Sequence, residues 1–123
     1  MGLVSQKLRD SAKGQPCMFR IPYCCTNDPA TTVFCHAPGE AKGMANKNHD
    51  FLGAFGCYAC HNYMDQRQGP ESERNTFWLY AMQGTLTWWV CNGYLKIVGD
   101  DADVKPRQEK LSKIVPRPKE FRR

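Results

Sequence analysis

The stretch GAFGCYACHNYMD, Gly53 to Asp65, decides how this chain is read. At its centre, CYACH sets Cys57 and Cys60 two residues apart with His61 directly after. Three chemistries share that pattern: covalent haem attachment, a dithiol redox pair, and half of a tetrahedral metal site beside a helix. The surroundings bear on the choice. Phe51 to Gly56, FLGAFG, reads as a short apolar strand, and Gly56 allows a tight turn into CYACHNYMDQR, which has no helix breaker before Gly69. The cysteines therefore fall at a strand-to-helix junction.

Haem attachment normally follows export, and the opening MGLVSQKLRDSAKGQPC has no apolar core of signal-peptide length. No stretch approaches the length needed to cross a membrane, so the expectation is a cytoplasmic, reducing location without membrane association. There, seven cysteines, an odd number for a fully paired disulfide scaffold, are better suited to holding a metal. A redox pair would want a βαβ setting that the pattern around Cys57 lacks. A metal clip is the favoured reading, with separate buried thiols as the alternative. Its second half is available upstream in Cys17 and Cys25, with Cys24 as a competitor, on a turn stiffened by Pro22. Four thiolates from these turns would make a closed structural zinc site stapling a small core. Cys35 and Cys91, in apolar surroundings, read as small core residues.

Further outward, ATTVFCH, residues 30–36, is β-branched and aromatic and reads as a strand ending at His36. The polar APGEAKGMANKNHD that follows reads as a long surface loop. A second helix is expected to begin between Pro70 and Ser72, with Glu71 and Glu73 favouring its N-terminus. Its expected core positions are Phe77, Tyr80, Ala81, Gly84, Trp88, Trp89 and Val90, and YLKIV, residues 94–98, reads as a last strand. Residues 3–13 carry only a weak apolar face and read as a short helix or a basic arm.

Charge is distributed unevenly. The chain carries a net +5, but residues 104–123 hold eight Lys and Arg against two Glu, so the rest is about neutral. Together with Pro106, Pro116 and Pro118 this reads as an extended basic tail over 100–123, suited to a polyanion such as DNA. Within the body, His61 and Asp65 lie four apart on the expected helix, so both project from one face and can share a divalent metal.

The segments CMFRIPYCCTNDPATTVFCH (17–36) and DFLGAFGCYACHNYMDQR (50–67) resemble the HNH, or ββα-metal, nucleases. More narrowly, they look like the phage and prophage family typified by the YbcO protein. That resemblance implies an α+β fold: a small ββα-metal core over about 30–68 with a structural zinc site, a helical extension over about 70–93, and the basic tail. Domain 1–99 would be the nuclease. By the same resemblance Cys17, Cys25, Cys57 and Cys60 match the zinc ligands, and His36 matches the general base. His61 and Asp65 match the holders of a catalytic Mg²⁺ or Mn²⁺. The middle position of the motif falls among Asn48, His49 and Asp50, with Asp50 preferred because it directly precedes the apolar run. The implied activity is metal-dependent hydrolysis of DNA phosphodiester bonds in a bacterial host. Arg20, Arg67, Lys105, Arg107, Lys110 and Lys113 would contact flanking phosphates. A non-catalytic, zinc-stapled nucleic-acid-binding module is the competing expectation.

Overall fold

The computed structural model describes residues 3–39, 48–99 and 107. Its elements run α1 (Gln6–Asp10), a 3₁₀ turn (Pro29–Thr31), β1 (Val33–His36), β2 (Gly53–Gly56), α2 (Tyr58–Asp65) and α3 (Glu71–Cys91). This is a small α+β fold around a two-stranded antiparallel sheet.

Pairing sets Val33 against Gly56, Phe34 against Phe55, Cys35 against Ala54 and His36 against Gly53. Because alternate residues point to opposite faces, Cys35 and Ala54 look one way, while Phe34, Phe55 and His36 look the other. Cys35 and Ala54 join Cys17, Phe19, Ile21, Cys57, Cys60, Met64 and Ala81 in one buried cluster. Phe55 joins Leu8, Ala12 and Trp89 in a second, with Phe34 packed against it. The glycines of β2 permit close approach. A Cβ on Gly56 would press on the Phe19 ring and the Cys35 Sγ, and one on Gly53 would collide with the Cys35 carbonyl.

The edge of β2 away from β1 is closed at Phe55 from two directions. Its N–H donates to Thr85 Oγ1 of α3 at 3.1 Å, and its carbonyl accepts from Met18 N at 2.8 Å. Both backbone groups are thus satisfied without a third strand. Trp89 Nε1 donates to Ser11 Oγ at 2.7 Å, which joins α3 to the segment after α1.

Five expectations change, the smallest being that the second strand starts at Gly53 instead of Phe51. The first strand starts at Val33 instead of residue 30, because Asp28 caps the Pro29–Thr31 turn by accepting from Ala30 N. Residues 94–98 form no strand: Tyr94 and Leu95 pack on the Trp89 cluster, while Ile97 and Val98 are 64% and 92% exposed. Cys91 is exposed and is not a core residue, since it lies nearly opposite Trp89 around α3. On α3 the fully buried residues are Ala81, Thr85 and Trp89; the other expected core positions are partly buried, and Thr85 is an addition.

Candidate functional site

The N-terminal turn and the start of α2 bring Cys17, Cys25, Cys57 and Cys60 together, with all four Sγ atoms within 4.8 Å of one another. Tetrahedral zinc–thiolate bonds of about 2.3 Å imply sulfur–sulfur edges of ~3.8 Å, and the Cys57 and Cys25 sulfurs are 3.8 Å apart. No disulfide engages any of the seven cysteines. The cluster fits a metal such as zinc.

Local backbone geometry builds each half. Cys24 N and Cys25 N both donate to Ile21 O, and Arg20 and Tyr23 take left-handed φ values of 48° and 62° to close that turn. Asn27 N then donates to Cys25 Sγ at 3.3 Å. On the other side Cys57 is the N-cap of α2 and accepts from Cys60 N at 3.4 Å. Thiolate character is favoured there by the helix end. Burial would raise the Cys57 pKa, but hydrogen bonds from Cys60 N and from Thr26 outweigh it and leave the thiol below its usual value. A hydrogen bond from Cys60 holds Cys17 down to about 5, and the same bond, with burial, drives Cys60 upward. Burial above all pushes Cys25 up to about 11. Cys24 is turned aside, its thiol donating to Ala59 O at 3.4 Å.

A second constellation lies on the other face of the hairpin. His36 Nε2 and Asp50 Oδ1 are 2.8 Å apart. The second carboxylate oxygen accepts from Ser5 N and from Arg9 Nε, each at 2.7 Å. Asp50 is 1% exposed. Burial alone would raise its pKa, but hydrogen bonds from Arg9, His36 and Ser5 outweigh that and hold it below the usual carboxylate value. An ionised carboxylate can only accept, so the proton between Asp50 and His36 sits on Nε2, and the lone pair of a neutral ring sits on Nδ1. Phe34 meets the imidazole edge-on, with centroids 4.9 Å apart.

The other middle-position candidates have different work. Asn48 Nδ2 donates to Ala37 O at 3.0 Å, and His49 Nδ1 accepts from Leu3 N at 2.9 Å. His61 and Asp65 occupy α2 as expected, His61 half-buried and Asp65 exposed. Among the described residues, only the cysteine quartet gathers three or more His, Cys, Asp or Glu groups closely enough to share an ion. Cys35 faces the cysteine-quartet side of the sheet; burial raises its thiol pKa, with smaller contributions from Cys17, Cys57 and Asp65. Arg20 and Arg67 are exposed, both at left-handed φ, and Arg107 is exposed. Lys105, Lys110 and Lys113 lie outside the described residues. Sequence reasoning missed Arg9 and Ser5. No local pattern ties Arg9 to a carboxylate 41 positions away.

A family model described as "Putative nuclease YbcO" matches residues 6–93, from the start of α1 to just past α3. The chain belongs to the YbcO family. Two members, from Escherichia coli strain K12 and from Enterobacteria phage 82, each carry that nuclease description. Each is 36% identical to this chain over 61 residues, 49% of this chain and 64% of the relative. The aligned part thus spans a little under two thirds of those relatives. A solved structure titled "Structure of a putative bacteriophage protein from Escherichia coli str. K-12 substr. MG1655" superposes with a TM-score of 0.57 at 27% identity. It covers 71% of this chain and 100% of that one. The cysteine quartet, His36, Asp50 and Arg9 all fall inside the segment that matches YbcO, whereas residues 100–123 fall outside it. None of the described helices is long and apolar enough to cross a membrane.

Proposed function

We propose that this chain is a metal-dependent endonuclease of HNH, or ββα-metal, type that hydrolyses phosphodiester bonds in DNA. The observation that carries the reading is the His36–Asp50 pair. A histidine whose Nε2–H is fixed by a buried carboxylate presents Nδ1 as a proton acceptor in one orientation, which is what a general base for water requires. The nuclease description shared by its relatives and the strand–strand–helix order around the pair point the same way.

In this reading His36 takes the proton from a water as it attacks phosphorus, and Asp50 steadies the imidazolium that results. His61 and Asp65 would hold Mg²⁺ or Mn²⁺. Bound there, that ion would neutralise charge on the scissile phosphate and assist the departing 3′ oxygen. Cys17, Cys25, Cys57 and Cys60 would hold zinc in a closed site that fixes the start of α2 and so the placement of His61. Arg20 and Arg67, with Lys105, Arg107, Lys110 and Lys113 of the basic tail, would bind flanking phosphates, making affinity fall with salt.

The test is nicking of supercoiled plasmid by protein stripped of loosely bound metal but retaining zinc, with and without added Mg²⁺ or Mn²⁺. Wild type should nick only with the added ion, and His36→Ala should not. A folded wild type that binds DNA but never cleaves it would instead identify a non-catalytic, zinc-stapled binding module. That no third His, Cys, Asp or Glu joins His61 and Asp65 among the described residues favours that second reading.

A further inference from the structure

The geometry points to Arg9 as a positioning residue that fixes the tautomer and orientation of His36 through Asp50. The inference rests on His36 being the base of the proposed nuclease, but its central observation is independent of substrate.

Residues 3–9 are fastened to the segment just before β2 by four hydrogen bonds. Leu3 N donates to His49 Nδ1 at 2.9 Å, and Leu3 O accepts from Asp50 N at 2.8 Å. Ser5 N and Arg9 Nε then both donate to Asp50 Oδ2 at 2.7 Å. The consequence lies in the arithmetic of lone pairs. With Oδ2 engaged by two donors, Asp50 can turn neither oxygen away from its place, and Oδ1 alone faces His36. Arg9 is 33% exposed, whereas Asp50 is 1% exposed. The guanidinium thus reaches in from the surface to hold an otherwise enclosed carboxylate ionised, and an ionised carboxylate is what keeps the His36 proton on Nε2. Arg9 does not touch the reacting atoms in this arrangement. It acts through Asp50.

The measurement is long-range ¹H–¹⁵N correlation of the histidine rings in full-length, zinc-loaded protein without nucleic acid, joined to plasmid-nicking kinetics. Wild-type His36 should show the Nε2–H tautomer. Arg9→Ala should give a mixture of tautomers or a broadened His36 ring, with kcat reduced roughly tenfold to a hundredfold and KM little changed. Arg9→Lys should restore much of both, since it returns a charged donor. A purely structural Arg9 would lower the melting temperature yet leave the His36 signature intact well below it, and that result overturns the inference. If Arg9→Ala does not fold, the wild-type Arg9 Nε–H must appear as a downfield, exchange-protected resonance; its absence also overturns the inference. A wild type that never cleaves, but whose His36 signature responds to Arg9, would sink the nuclease reading and leave the positioning role standing.

Discussion

Replacing Asp50 by Asn tests the buried carboxylate most directly, because the change is nearly isosteric and the partners are known. Oδ2 accepts from Ser5 N and Arg9 Nε, and Oδ1 meets His36 Nε2. An amide has one oxygen and one NH₂, so it can serve only one side of that arrangement. With its oxygen toward Ser5 and Arg9, its NH₂ confronts the His36 Nε2–H and forces the ring into the other tautomer, with the proton on Nδ1. Breaking a buried charged pair typically costs about 3–5 kcal/mol. Arg9 is one-third exposed and can return to water, which discounts the loss to about 3 kcal/mol. For a domain of about 100 residues that is a fall in melting temperature of ~12–24 °C at pH 7. The assay is thermal unfolding by circular dichroism across pH. Asp50 has a folded pKa below its unfolded value of 3.8. Its contribution is therefore complete above the unfolded value and disappears as pH falls through the folded one. The gap between wild type and Asp50→Asn should persist from neutrality down to the unfolded value and close in acid below pH 3.8. A difference under about 1 kcal/mol at pH 7, or one independent of pH, would refute this account of the carboxylate.

Four further outcomes are expected. Purified protein should contain one zinc per chain by elemental analysis; Cys57→Ser should lose both metal and cooperative folding, whereas Cys24→Ser, whose thiol donates to Ala59 O, should keep them. Thr85→Val preserves shape but strands the Phe55 N–H, so it should cost about 1–3 kcal/mol in denaturant unfolding. Trp89→Ala should cost about 3–5 kcal/mol in the same assay, since the ring is fully buried and its Nε1 holds Ser11. Truncation after Val98 should flatten the salt dependence of DNA binding by ~0.9 in logarithmic slope for each phosphate the tail had neutralised; an unchanged slope would remove the tail from the interface.

The cysteine quartet was legible because thiols at short spacing beside an expected helix have few uses, and the turns that gather them are local. α2 was legible for a similar reason: nothing between Tyr58 and Asp65 breaks a helix. Thr85 was not, because its burial answers a need elsewhere, the outward N–H of Phe55. YLKIV carries strand-forming residues, yet at Phe55 the N–H and carbonyl of β2 are already taken by Thr85 and Met18. Propensity without an available partner did not make a strand. Asp50 stood out by adjacency to the apolar run, but its pairing with His36, and the reach of Arg9 to its carboxylate, depend on tertiary closure that no local spacing encodes.

The bond between Trp89 and Ser11 spans 78 positions, and that between Arg9 and Asp50 spans 41. Closing such loops is costly until the distant partner exists. During synthesis, then, the metal-binding turns and α2 can be complete while the segment that carries Arg9 still has no α3 to dock against. Arg9 and Asp50 are both made before α3, whereas Ser11 gains its Trp89 partner only once the chain has been made through position 89. Timing is thereby written into topology: the arm that clamps Asp50 would gain its anchor on α3 only after nearly all of the folded body has left the ribosome.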